Sequence, residues 1–144
     1  MKGNKKIKIA VIAANFYPDI TKCLISGALD VLHTAGISKK NITVQLVPGC
    51  FELPLACQKM AQRKKYDALI ALGCAIRGKT DHYTYIAQGM TQGIVDVMLK
   101  YNKPIGFGVI LVHSYRLALA RSSVKINYGA GAAQAVLAVL QNKK

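Results

Sequence analysis

Four short apolar runs, each shut off by loop-forming residues and separated by segments with helical spacing, leave few folds open to this chain. The first, Ile7 to Ala14, is broken by Asn15, Phe16, Tyr17 and Pro18. A run this short and apolar fits a strand buried on both faces. Ile20, Cys23, Leu24, Ala28, Val31 and Leu32 then recur at helical spacing up to Gly36, a residue suited to ending a helix. Ile42 to Val47 reads as the second strand, stopped by Pro48 and Gly49. Leu53 to Arg63 reads as a helix, with Pro54 in the first turn, where proline is tolerated. Asp67 to Leu72 is the third strand and runs into Gly73, and Thr80 or Asp81 can cap a long helix to about Tyr101. Pro104 to Val112 is the fourth strand. Ser114 can cap a short helix through Ala120, and an Ala-rich helix runs from about Gly131 to Leu140.

The alternation predicts an α/β fold, with a parallel sheet covered on both faces by helices and right-handed crossovers. The 144 residues suit a single domain with a real core. In such sheets ligands bind outside the carboxyl ends of the strands. Here those ends are Asn15 to Tyr17, Pro48 to Glu52, Gly73 to His82, and Val112-His113.

Composition narrows the function classes. A net charge of +14 invites a nucleic-acid or membrane-surface reading. The basic residues are scattered, however: Lys2, Lys5, Lys6, Lys8, Lys39, Lys40, Arg63 to Lys65, Lys143 and Lys144 sit mostly at termini and element ends. The expectation is a solvated basic surface with no nucleic-acid or membrane partner, which leaves room for steering of an anionic small substrate. With 52% hydrophobic and 18% charged residues, association into an oligomer hides surplus apolar surface. Cys23, Cys50, Cys57 and Cys74 form no C-x-x-C pair and have no histidine at zinc spacing, so small buried apolar residues are expected rather than disulfides or a metal site. Ile7 to Ala14 is too short to span a membrane, and no leader-type cleavage pattern follows it; a cytoplasmic location is expected.

The segment richest in chemistry is Gly73-Cys74-Ala75-Ile76-Arg77-Gly78-Lys79-Thr80-Asp81-His82, which leaves a strand and enters a helix. Free N–H groups at a helix start favour an anion, Lys79 adds charge and Thr80 a hydroxyl. The stretch satisfies the bare string G-x-x-x-x-G-K-[ST]. It sits on the third strand, carries Ile76 and Arg77 where small residues are usual, and has no second acidic magnesium site, all of which argue against a nucleotide. His82, as an imidazole, suits proton transfer at neutral pH. Alone it would read as a surface histidine; the adjoining anion cradle raises it above that. Glu52, the only glutamate, is either a charge favouring a helix start or an acceptor for substrate hydroxyls or amines. Phe16 is core or a stacking platform for a flat ring. Arg121 is a helix-end cation or a phosphate clamp. His33 falls mid-helix near a polar face and reads as an ordinary helix residue, while His113 follows a strand and could approach the site, but nothing nearby gives it a role.

Asn15-Phe16-Tyr17, Val47-Pro48-Gly49-Cys50-Phe51-Glu52-Leu53-Pro54, Ala71 to Tyr83 and Pro104-Ile105-Gly106-Phe107-Gly108-Val109, in this order, resemble the lumazine synthase family from Ile7 to Leu140. The resemblance implies a flavodoxin-like three-layer α/β/α sandwich with a four-stranded parallel sheet. It also implies a homopentamer, sometimes twelve of them in a 60-subunit shell. The implied activity is a transferase step of riboflavin biosynthesis. It condenses 5-amino-6-(D-ribitylamino)uracil with 3,4-dihydroxy-2-butanone 4-phosphate to 6,7-dimethyl-8-ribityllumazine, with no cofactor or metal; riboflavin synthase, the next enzyme, is the further partner. Matched position by position, Phe16 would stack on the pyrimidine. Cys50, Phe51 and Glu52 would hold the ribitylaminouracil, with Glu52 facing ribityl hydroxyls. Cys74, Ala75 and Ile76 would read the pyrimidine edge. Lys79, Thr80 and Arg121 would bind phosphate, and His82 would donate and accept protons. Phe107 and Arg121 would come from a neighbouring subunit. The pattern departs at Ser122 to Gly129, where the family has a run rich in Gly and Lys that ends near an acidic residue (here Ala132), and at Leu111-Val112-His113. Two alternatives share the fold: an archaeal-type riboflavin synthase, and a non-catalytic flavin- or lumazine-binding protein.

Overall fold

The computed structural model describes residues 6–142; Lys2, Lys5, Lys143 and Lys144, counted among the scattered cations, lie outside them. Strands β1 (Ile9–Ala14), β2 (Ile42–Val47), β3 (Ala68–Ile76) and β4 (Ile105–Val112) alternate with helices α1 (Pro18–Thr34), α2 (Leu53–Ala61) and α3 (His82–Tyr101). Helices α4 (Tyr115–Arg121) and α5 (Tyr128–Gln141) complete the described residues. All pairings are parallel, in the order β2-β1-β3-β4. This is the flavodoxin-like order, here with four strands.

Strand β1 is buried at every position. Its alternate residues feed two cores, as a two-residue period requires. Ile9, Val11 and Ala13 join Leu24 and Leu32 of α1, Ile70 and Leu72 of β3, and Val136 of α5. Ala10, Ile12 and Ala14 join Leu53 and Met90 beneath α2 and α3. The result is three layers, with α1 and α5 on one face and α2 and α3 on the other. No helix among the described residues is long and apolar enough to cross a membrane.

The predicted stops are seen where chemistry enforces them. Gly36 takes φ +94° after α1, and Pro18 and Pro54 stand in the first turns of α1 and α2. The Ser114 side chain accepts from the Leu117 amide at 3.2 Å and caps α4.

Two boundaries differ from expectation by three residues or more. Strand β3 does not stop at Leu72 but continues to Ile76, because β4 is long enough to pair Gly73 to Ile76 with Val109 to Val112. Helix α5 begins at Tyr128, three residues before the expected start at Gly131. Gly129 lies inside it, and its lack of a side chain serves packing: a Cβ there would run into the Leu24 carbonyl of α1.

Candidate active site

Strand β1 is followed by β2 on one side and β3 on the other, so the switch-point crevice lies between the carboxyl ends of β1 and β3. A cavity of about 500 Å³ opens there, within the range of small-molecule sites. The loop after β1 contributes Phe16 and Tyr17, and the loop after β2 contributes Pro48, Gly49, Cys50, Phe51 and Glu52. The end of β3 adds Cys74, Ala75 and Ile76, and the approach to α3 adds Gly78, Thr80, His82, Tyr83 and Ile86.

Local bonds hold these segments. The buried Thr21 hydroxyl donates to the Ala14 carbonyl at 2.8 Å, and the Asn15 amide donates to Val47 O at 2.8 Å. Together they fix the turn that carries Phe16. Phe16 is not core: it is 68% exposed, with its ring edge-on to Tyr17 at 5.0 Å. Cys50 to Glu52 form one 3₁₀ turn, which buries Cys50 and leaves Phe51 64% exposed. Glu52 is also exposed. Two aromatic faces thus border a cavity with one carboxylate at its rim.

The cavity floor is apolar and close-packed. A Cβ on Gly73 would lie 3.1 Å from the Ala14 Cβ and 3.2 Å from the Cys50 sulfur. Burial pushes the Cys50 thiol up to about 11, even though a main-chain hydrogen bond from Cys74 pulls it the other way. Burial, with the nearby Cys50, pushes the Cys74 thiol up to about 12. Both are poor nucleophiles at neutral pH, since the thiolate is the reactive form. Cys74 packs in the core under α1 and Cys50 in the core under α2, on opposite faces of the sheet. Burial also raises the Tyr17 hydroxyl, helped by Cys74 and Cys50. Of the four cysteines, only Cys23 departs from the expected burial; it is exposed on α1.

The β1–β3 ladder ends at the Ala13–Leu72 pair, while β3 stays paired to β4 up to Ile76. The main chain beyond Leu72 therefore presents one open edge to the cavity. Backbone groups alternate sides along a strand. The Arg77 amide donates to Val112 O at 2.9 Å, on the β4 side. That parity turns Ile76, like Cys74, toward the open edge, where its N–H and C=O can meet a planar heterocycle.

His82 is exposed at the first residue of α3, and its amide donates to the Thr80 hydroxyl at 3.3 Å. Thr80 rather than Asp81 provides this bond; Asp81 makes no side-chain cap. A Cβ at Gly78 would meet nothing within 4 Å, so its missing side chain keeps the mouth open rather than easing a contact.

Phe16, Cys50, Phe51, Glu52, Cys74, Ala75, Ile76, Thr80 and His82 are thus gathered around one cavity. Lys79, Phe107 and Arg121 are not among its lining residues. Lys79 is exposed on the loop, Phe107 is 41% exposed on the edge strand β4, and Arg121 ends α4. Tyr17, Pro48, Gly49, Gly78, Tyr83 and Ile86 line the cavity without having been singled out as site residues. Most stand beside chosen residues in the same motifs. Ile86 carried only one signal, its place one turn beyond His82 on the same helix face.

The family model described as 6,7-dimethyl-8-ribityllumazine synthase matches residues 6–144. A protein named 6,7-dimethyl-8-ribityllumazine synthase from Desulfovibrio desulfuricans is 40% identical over 138 residues, covering 95% of this chain and 88% of its own length. The chain belongs to the 6,7-dimethyl-8-ribityllumazine synthase family.

Proposed function

We propose that this chain condenses 5-amino-6-(D-ribitylamino)uracil with 3,4-dihydroxy-2-butanone 4-phosphate, forming 6,7-dimethyl-8-ribityllumazine and releasing phosphate and water. The observation that carries this reading is the single cavity joining His82, exposed aromatic rings and an open main-chain edge, in a chain of this family. Phe16 stacks on the pyrimidine, the edge at Cys74 to Ile76 reads its polar rim, and Glu52 accepts from ribityl hydroxyls beside Cys50 and Phe51. Lys79, Thr80 and Arg121 hold the phosphate.

The chemistry needs proton movement and a charge clamp. An amine of the uracil attacks the ketone carbonyl and water leaves as the imine forms. Phosphate is then expelled, and closure of the second ring releases further water. His82, at the mouth of the cavity, takes and returns protons through these steps. Cations beside the leaving phosphate stabilise the charge that develops on it.

Phe107 and Arg121, which stand outside the cavity of their own subunit, serve that of an adjoining subunit in a homopentamer. Exposed Phe107, Leu119, Ile126 and Val139 supply apolar surface for such contacts. Mixing the two substrates with the protein and following lumazine absorbance tests the reading; no absorbance above the uncatalysed rate sinks it. Sedimentation distinguishes a pentamer from a 60-subunit shell.

A further inference from the structure

Arg121 ends α4 and Tyr128 opens α5, and the run between them is the stretch where the sequence leaves the family pattern. In the structure this run is closely tied. Ser122 and Asn127 form an antiparallel bridge. The Ser123 hydroxyl donates to Ala120 O at 3.0 Å and accepts from the Ile126 amide at 3.1 Å. The Asn127 side chain donates to Cys23 O at 3.1 Å and accepts from the Ala130 amide at 3.0 Å, which caps α5 and joins it to α1. Gly129 is wedged against the Leu24 carbonyl. Tyr128 therefore stands between two anchored residues.

From that position the Tyr128 hydroxyl accepts a hydrogen bond from Arg121 Nε at 3.1 Å. On the other flank Arg121 Nη1 donates to Leu117 O at 3.4 Å. A guanidinium has five N–H donors in one plane. Two are used here, and those left all sit on the two Nη atoms, the fork that matches a phosphate bidentately. A cation satisfying the helix end accounts for the bond to Leu117 O. It does not account for the bond to Tyr128, which fixes the plane of the group.

We propose that Tyr128 is a positioning residue: its hydroxyl holds the Arg121 guanidinium so that the remaining Nη N–H groups are presented, already ordered, to the phosphate of the substrate. Holding the long side chain in place before binding removes an ordering cost that would otherwise weaken affinity. The inference rests on the reading of Arg121 as a phosphate clamp.

The test is Tyr128→Phe, which keeps the ring and removes only the acceptor, beside Arg121→Ala and the double variant. Assembly and thermal midpoint are checked first by sedimentation and calorimetry. Tyr128→Phe should raise KM for the butanone phosphate by roughly three- to tenfold, the worth of one hydrogen bond, while changing kcat and the KM for the uracil far less. Binding of inorganic phosphate, titrated calorimetrically and independent of turnover, should weaken by a similar factor. In the Arg121→Ala background, Tyr128→Phe should add nothing. If Arg121→Ala weakens phosphate and Tyr128→Phe does not, the role of Tyr128 is overturned and the clamp stands. If Tyr128→Phe alters both KM values alike, the residue is merely structural and the proposal fails. If Arg121→Ala leaves phosphate affinity unchanged, the clamp reading itself fails and takes the proposal with it.

Discussion

A methyl group on Gly73 would stand 3.2 Å from the sulfur of Cys50, and as close again to the Ala14 side chain on the other strand. Neither neighbour can yield freely, because Ala14 belongs to β1 and Cys50 is buried at the start of a 3₁₀ turn. Gly73→Ala should therefore cost about 1–2 kcal/mol of stability, overpacking outweighing the entropy gained by removing a strand glycine. Chemical denaturation measures it. Cys50→Ala in the same background should recover part of the loss; no recovery would show that the strain lies elsewhere.

His82 is exposed at the first residue of α3 and lines the cavity. His82→Ala should slow turnover by about 10²- to 10⁴-fold, the usual worth of a positioned acid–base group. Stability should stay within about 0.5 kcal/mol, as for most surface changes. Binding of the lumazine product, followed by fluorescence, should persist. Unchanged turnover in this variant would remove the residue from the mechanism.

Two glycines of α5, two residues apart in the same helix, should respond with opposite signs to the same change. Gly131→Ala meets nothing within 4 Å and should stabilise by about 0.5–1 kcal/mol through helix propensity. Gly129→Ala gains the same propensity but drives a Cβ into the Leu24 carbonyl, so α5 must part from α1 and stability should fall by about 1–3 kcal/mol. Thermal midpoints of the pair decide the matter.

Burial raises the Cys57 thiol from an ordinary 9.0 to about 12. The folded-state value lies above the unfolded one, so the contribution is whole below pH 9 and is lost as pH rises toward 12. In that window the unfolded chain ionises first, and the native protein should lose about 1.4 kcal/mol per pH unit from this group. Denaturation at pH 8, 9, 10 and 11, compared with Cys57→Ala, isolates the effect. Equal slopes in the two proteins would contradict it.

Strand and helix order were legible because the apolar runs of a doubly covered sheet stand out, and Gly36, Pro18 and Ser114 mark their boundaries by local chemistry alone. Gly73, taken as the end of the third strand, misled. Glycine signals a break locally, but here it permits close approach between elements distant in sequence, which no local pattern encodes. The cavity could be read at Phe16, at Cys50 to Glu52 and at His82 because each sits at a strand's carboxyl end or just beyond. The bond between Arg121 and Tyr128 could not, since it depends on how the run between α4 and α5 folds back. The thiols at Cys50 and Cys74 read alike as buried cysteines, yet the 3₁₀ turn after β2 sets one in the core under α2 and the alternation of β3 sets the other in the core under α1.

The open edge of β3 beyond Leu72 also bears on how such a protein can change. Hydrogen bonds offered by main chain survive nearly every substitution, because N–H and C=O are common to all residues except proline. Point mutation at Cys74, Ala75 or Ile76 can reshape the surrounding wall but cannot rewrite that pattern of donors and acceptors. Drift in this part of the site is therefore confined to size and contour. A new preference in polar pairing would require moving the strand itself.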